Sequence, residues 1–116
     1  MLLLEDDAII NCATTEMMQE MGCRVSPFMH LASALGAIRS DPPDVAVLDV
    51  KINEETSYQL AEELHQRGVP IIFLTGYGLG LQEKWRSFPI CQKPCVPAEL
   101  KALLSAALTS RRDICA

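Results

Sequence analysis

Short apolar runs alternate along this chain with segments in which apolar residues recur at helical spacing. The run at 45–48 is continuous and ends on Asp49, which is typical of a strand buried on both faces of a parallel sheet. Strands that alternate with helices favour such a sheet with helices on both faces, and right-handed crossovers make it doubly wound. We therefore predict an α/β fold of the (βα)5 type with a five-stranded parallel sheet. The predicted strands are residues 2–4, 23–28, 45–48, 70–74 and 89–92.

Four of the intervening segments carry the apolar stripe of an amphipathic helix. Asp7 is placed to cap the first helix, and Pro97 is placed to open the last one. The segment 81–87 is short and broken, so the fourth of five helices should be irregular; its Trp85 is either a core anchor or a partner contact. The predicted inward-facing residues are Ile10, Ala13, Met17 and Met21; Leu31, Ala34, Leu35 and Ile38; Leu60, Ala61 and Leu64; and Leu100, Leu103, Leu104, Ala107 and Leu108.

Length, charge and cysteine content narrow the possible classes of protein. The 116 residues fit one domain, which we place at 1–110 and follow with a C-terminal tail at 111–116. No apolar run approaches the roughly 18 residues that span a bilayer. The formal net charge of −5 argues against direct binding to nucleic acid or to an acidic membrane. The five cysteines form no CxxC pair, so we expect reduced thiols in a cytoplasmic protein.

The predicted strands end in acids, a hydroxyl and an amine. Glu5 and Asp6 follow the first strand, and Asp49 follows the third. Thr75 comes at the end of the fourth strand, and Lys93 follows the fifth. In an open parallel sheet, ligands bind beyond the carboxyl ends of the strands, near the point where the strand order reverses. Three carboxylates there repel one another unless a cation joins them, and hard oxygen ligands favour Mg²⁺. A carboxylate beside Mg²⁺ can also act as a nucleophile in phosphoryl transfer.

Four short motifs at these strand ends resemble those of a response-regulator receiver domain. They are Glu5-Asp6, Leu48-Asp49-Val50, Thr75-Gly76 and Lys93-Pro94, and the resemblance covers essentially the whole chain. It implies a flavodoxin-like fold with Asp49 as the acceptor of a phosphoryl group. The stretch 73–77 also resembles a receiver subgroup that carries a Phe-x-Thr-Gly-Tyr signature and is often single-domain.

The resemblance also implies roles for the surrounding groups. Asp6, Asp49 and the backbone carbonyl of Lys51 would bind Mg²⁺ directly, and Glu5 would bind it through water. Thr75 would be the switch hydroxyl, and Lys93 the partner of the phosphoryl group.

Two features depart from the receiver pattern. Receivers usually carry an aromatic residue three positions before the lysine, but this chain has Ile90, which puts the usual coupling to Thr75 in doubt. Tyr77 could take over that coupling. The irregular segment 81–87 makes the output surface atypical.

The leading hypothesis is a single-domain response regulator, a signalling module rather than a turnover enzyme. A histidine kinase would phosphorylate it, and its output would pass to a protein partner or a homodimer through the 75–96 region. The alternative is a receiver-like adaptor that acts without phosphorylation. Two other doubly wound classes fit poorly. A haloacid-type phosphatase would need Asp-x-Asp after the first strand, where Asp6 is followed by Asp7 and Ala8, and a flavodoxin would need a phosphate loop there that is not acidic.

Overall fold

Five parallel strands form the sheet, as the alternating pattern predicts. The computed structural model describes residues 1–76, 81–93 and 96–115, with side chains up to residue 109. The strands are β1 (Leu2–Leu4), β2 (Ser26–Phe28), β3 (Ala46–Asp49), β4 (Lys51–Ile52), β5 (Glu55–Thr56), β6 (Ile71–Thr75) and β7 (Ile90–Gln92). The order of the strands in the sheet is β2-β1-β3-β6-β7, and every neighbouring pair is parallel. The helices are α1 (Ala8–Glu20), α2 (Leu31–Ser40), α3 (Tyr58–Gln66) and α4 (Pro97–Cys115), with a 3-10 turn at Glu83–Trp85.

The sheet separates two apolar cores, because successive side chains of a strand point to opposite faces. Leu2 and Leu4 of β1 pack with the buried residues of α2 and α3. Leu3, between them, packs on the other face with Met18 of α1 and Leu100 of α4. Each central strand supplies both cores, which explains why its sequence is continuously apolar. Helices on both faces confirm the doubly wound fold.

The predicted inner faces of α2 and α3 are confirmed, since every residue assigned to them is buried. In α4, Leu100, Leu104 and Ala107 are buried, and the other two predicted residues pack against the same core. The helix itself continues to Cys115, into the segment assigned to a tail. The domain boundary at residue 110 stays a prediction.

The predicted inner face of α1 is partly wrong. Asp7 caps the helix as expected, with its side chain accepting from the N–H groups of the first turn. The buried positions, however, are Asn11, Thr14 and Met18, whereas Ile10 is exposed. Ala13 is exposed as well, while Met17 and Met21 pack at the edge of the second core. The helix is therefore rotated so that a polar side chain, rather than Ile10, reaches the ends of β1 and β2.

The irregular fourth element is confirmed, and the structure decides the role of Trp85. This side chain is 2% exposed and belongs to the core on the α2 and α3 face. Its ring stacks on Tyr58 and meets Phe73 and Phe88 edge-on at centroid distances of 5.7 and 5.0 Å. The backbone N–H of Gln82 also donates to the Tyr58 hydroxyl at 2.9 Å. Trp85 is thus a core anchor that fixes segment 81–88 on α3.

Candidate functional site

Three carboxylates lie together where the strand order reverses. β1 lies between β2 and β3 in the sheet, so the chain leaves β1 and β3 at a topological switch point. Glu5 and Asp6 follow β1, and Asp49 ends β3. One carboxylate oxygen from each residue lies within 4.8 Å of those from the other two. The tertiary structure therefore brings Asp49 to the two acids that precede it by 43 and 44 positions in the sequence.

Lys93 bridges two of these acids. Its Nζ lies 2.6 Å from Glu5 Oε2 and 2.7 Å from Asp49 Oδ2. The backbone N–H of Lys93 also donates to the carbonyl of Thr75 at 2.7 Å, so the end of β6 holds this residue in place. Because the Lys93 side chain is only 19% exposed, the ion pairs are partly shielded from water.

Burial sets the protonation behaviour of the bridged pair. Loss of solvation raises the pKa of Glu5 to about 7; the charge of Asp49 adds to this rise, and Lys93 opposes it. Burial also disfavours the charged form of Lys93, but its hydrogen bonds to Asp49 and Glu5 outweigh that effect and raise the pKa of the amine. Glu5 is therefore close to its titration point at neutral pH, with Lys93 charged beside it.

Asp6 is more exposed than the other two acids and has a different partner. The backbone N–H of Asn53 donates to Asp6 Oδ2 at 2.7 Å. Asn53 lies in the loop between β4 and β5, a short antiparallel hairpin directly after Asp49. The sequence pattern did not indicate this hairpin.

Thr75 ends β6, the strand beside β3, one position after the residue that pairs with Asp49. It is 4% exposed, and its Oγ1 has no hydrogen-bond partner within the described residues. The next residue, Gly76, is exposed, and a Cβ built on it would meet no atom within 4 Å. Ile90 is partly buried and packs against the core that contains Trp85. The coupling suggested for Tyr77 lies outside the described residues, as does Pro94.

Asn11 is a site residue that the sequence prediction missed. Its side-chain amide donates to the carbonyls of Glu5 and Phe28, both at 3.0 Å. These bonds fix the ends of β1 and β2 beside the acids. A polar residue at a position that faces inward on α1 was the available signal, but the apolar stripe through Ile10 outweighed it.

The acid cluster fits a hard divalent cation. Three carboxylates and one ammonium leave a residual charge of −2 when all are ionised, which a divalent cation would balance. Oxygen donors of this kind suit Mg²⁺, which binds through one or two carboxylates and retains several waters. Asp6 and Asp49 are the predicted direct ligands and Glu5 the predicted water-mediated one. Lys51 opens β4 two residues after Asp49, and its carbonyl stays a predicted ligand.

Comparison with known proteins decides the family. The family model described as "Response regulator receiver domain" matches residues 1–104. The chain belongs to this family. Receiver domains act as signalling modules of response regulators and generally carry a Mg²⁺-binding acidic site. This receiver has an acidic cluster, formed by Glu5, Asp6 and Asp49, at the ends of β1 and β3.

Two curated relatives are longer regulatory proteins that match this chain over part of their length. The receiver is 30% identical to the phosphoglycerate transport system transcriptional regulatory protein PgtA of Salmonella typhimurium, covering 99% of this chain and 29% of that protein. It is also 30% identical to the transcriptional regulatory protein TdiR of Thauera aromatica, covering 97% of this chain and 52% of that protein. The chain therefore spans about half or less of the length of these two relatives.

Solved structures agree on the fold. The solution structure of SdrG from Sphingomonas melonis Fr1 has a TM-score of 0.83 and 27% identity, covering 92% of this chain and 93% of that one. A response regulator receiver protein from Sinorhizobium medicae WSM419 has a TM-score of 0.81 and 24% identity, covering 95% and 94% of the two chains. Within the described part of this receiver, the helices are all too short or too polar to cross a bilayer.

Proposed function

We propose that this receiver accepts a phosphoryl group from a histidine kinase onto Asp49, in a Mg²⁺-dependent reaction, and signals through protein contacts. The observation that carries the proposal is the meeting of Glu5, Asp6 and Asp49 within 4.8 Å, with Lys93 bonded to Asp49 Oδ2 at 2.7 Å. A structural role alone does not account for three repelling carboxylates at a sheet edge, two of them buried.

The proposed transfer needs positioning and charge neutralisation more than covalent assistance. An oxygen of Asp49 forms a bond to phosphorus, the bond between phosphorus and the donor histidine nitrogen breaks, and that nitrogen keeps the electron pair. Mg²⁺ held by Asp6 and Asp49, with Glu5 acting through water, would neutralise charge on the phosphoryl oxygens. Lys93 already lies at the Asp49 carboxylate, so its ammonium can move to a phosphoryl oxygen over a short distance.

Thr75 supplies the proposed response to phosphorylation. Phosphorylation adds about −1.5 to −2 charge and three strong acceptor oxygens. The buried Thr75 hydroxyl has no acceptor within the described residues, so a phosphoryl oxygen would satisfy it. Movement of Thr75 would change the start of the 75–96 region, through which we propose contact with a protein partner or a second copy.

Mass spectrometry of the intact protein tests the acceptor. The purified chain is incubated with Mg²⁺ and acetyl phosphate or phosphoramidate, in parallel with Asp49→Ala and Asp41→Asn. Asp41 is an exposed acid at the end of α2 and serves as the matched control. We expect one base-labile phosphoryl adduct on the wild type and on Asp41→Asn. Asp49→Ala and samples with chelator should carry none, and an adduct that persists on Asp49→Ala would show that the acceptor is another residue.

A receiver-like adaptor that works without phosphorylation is the second candidate. The packing of Trp85 against Tyr58 and Phe88 favours it, because this packing holds segment 81–88 on α3. An ion pair between Lys84 and Glu62 adds a further tie. Absence of any adduct on the wild type in the experiment above would favour the adaptor. As part of either proposal, we expect the protein to act in the cytoplasm, as a signalling module rather than as a turnover enzyme.

A further inference from the structure

The hairpin after Asp49 ends in a two-residue turn with an unusual backbone. Ile52 pairs with Glu55, so the loop between them consists of Asn53 and Glu54. Asn53 has a φ of 57°, the left-handed region that side chains other than glycine seldom adopt. Asparagine is among the residues that tolerate it best, and the common two-residue hairpin turns have positive φ at their first position.

This turn presents the backbone N–H of Asn53 to the acid cluster. The N–H donates to Asp6 Oδ2 at 2.7 Å across 47 residues of sequence. The distance is that of a hydrogen bond strengthened by a charged acceptor. Lys93 forms ion pairs with Glu5 and Asp49, and no ion pair joins it to Asp6 among the described residues. The hairpin thus gives Asp6, the least buried of the three acids, a backbone partner of its own.

We propose that Asn53 is a positioning residue that orients the Asp6 carboxylate for a divalent cation. A carboxylate held by one N–H loses less rotational freedom when it binds a metal, and such supporting partners typically change metal affinity by about 10–100-fold. This inference rests on the proposed Mg²⁺ site. It adds that the left-handed turn, and not only the acids, determines how well the site binds.

Mg²⁺ titration by calorimetry tests the role of the turn. Asn53→Val keeps the N–H but places a β-branched side chain at positive φ, so we expect roughly tenfold weaker Mg²⁺ binding. Asn53→Gly accepts the same φ without strain and should restore affinity to within about twofold of the wild type. Thr56→Val changes the exposed partner strand of the hairpin without a change in charge and is the matched control. Equal affinity of folded Asn53→Val and wild type would overturn the proposal.

A second measurement does not depend on the cation or on the stability of Asn53→Val. In metal-free ¹⁵N-labelled protein, the Asn53 amide proton should exchange slowly and resonate downfield. In Asp6→Ala it should exchange faster and move upfield. In Asp7→Ala, which removes a carboxylate whose described hydrogen bonds go to the first turn of α1, it should be unchanged. An Asn53 amide that is insensitive to Asp6→Ala would refute the contact itself.

The two measurements separate this inference from the proposed function. If the wild type binds Mg²⁺ and becomes phosphorylated, and Asn53→Val binds Mg²⁺ with the same affinity, only the positioning role is contradicted. Wild type that neither binds Mg²⁺ nor takes up phosphate contradicts both, even if the amide contact exists.

Discussion

The buried carboxyl group of Glu5 should make the stability of the metal-free protein depend on pH. The pKa of Glu5 is raised to about 7 in the folded chain from an ordinary value of 4.5. Between these values, the folded chain holds more protons than the unfolded chain, so the free energy of unfolding falls as pH rises. The contribution is fully present below about pH 4.5 and is lost by about pH 7. At about 1.4 kcal/mol per pKa unit, the difference between the two pKa values corresponds to roughly 3 kcal/mol in the free energy of unfolding.

Urea unfolding in EDTA between pH 4 and 8.5 measures this effect, with Glu5→Gln as the reference. Glutamine keeps the size of the side chain but does not titrate, so the difference in unfolding free energy between the two proteins isolates Glu5. The wild type should lose stability relative to Glu5→Gln across the window. Saturating Mg²⁺ should weaken the loss, because a cation favours the ionised carboxylate. A difference that stays flat from pH 4.5 to 7 would refute the reasoning.

Four further predictions concern other parts of the molecule. Trp85→Ala should lower the free energy of unfolding by about 3–5 kcal/mol in urea, since a buried aromatic anchor is lost; a loss below about 1 kcal/mol would contradict its core role. Asn11→Ala leaves the carbonyls of Glu5 and Phe28 without their donor and should cost about 1–3 kcal/mol in the same assay, with weaker Mg²⁺ binding by calorimetry. Thr75→Val removes a buried hydroxyl that has no hydrogen-bond partner among residues 1–76, 81–93 and 96–109, so it should stabilise the unphosphorylated protein by about 1 kcal/mol; a loss of stability would indicate a partner. Ile9 is 81% exposed on the first turn of α1, at the rim that the proposed phosphohistidine donor would cover. Ile9→Asn should therefore slow phosphoryl transfer from a histidine kinase while leaving labelling by acetyl phosphate unchanged, and equal slowing with both donors would contradict the contact.

The layers of this protein and the positions of its acids along the strands follow from the amino-acid sequence alone. Apolar runs such as 45–48 can be recognised in the sequence because a strand between two helical layers has no polar face. Polar residues at the ends of these runs mark the rim for the same reason. The sequence of segment 81–87 also predicted an irregular element, because a short stretch ahead of Pro89 supports no regular helix.

The contacts between residues that are distant in sequence depend on the tertiary fold. The inner face of α1 could not be assigned from apolar spacing, because the carbonyls of Glu5 and Phe28 need a donor and Asn11 supplies it. Trp85 had two open roles until its packing against Phe73 and Phe88 was known. The bond from Asn53 to Asp6 joins residues 47 positions apart through a backbone N–H, which every residue except proline carries. The amino-acid sequence does not reveal such contacts, because they depend on where the chain turns rather than on which side chain it carries.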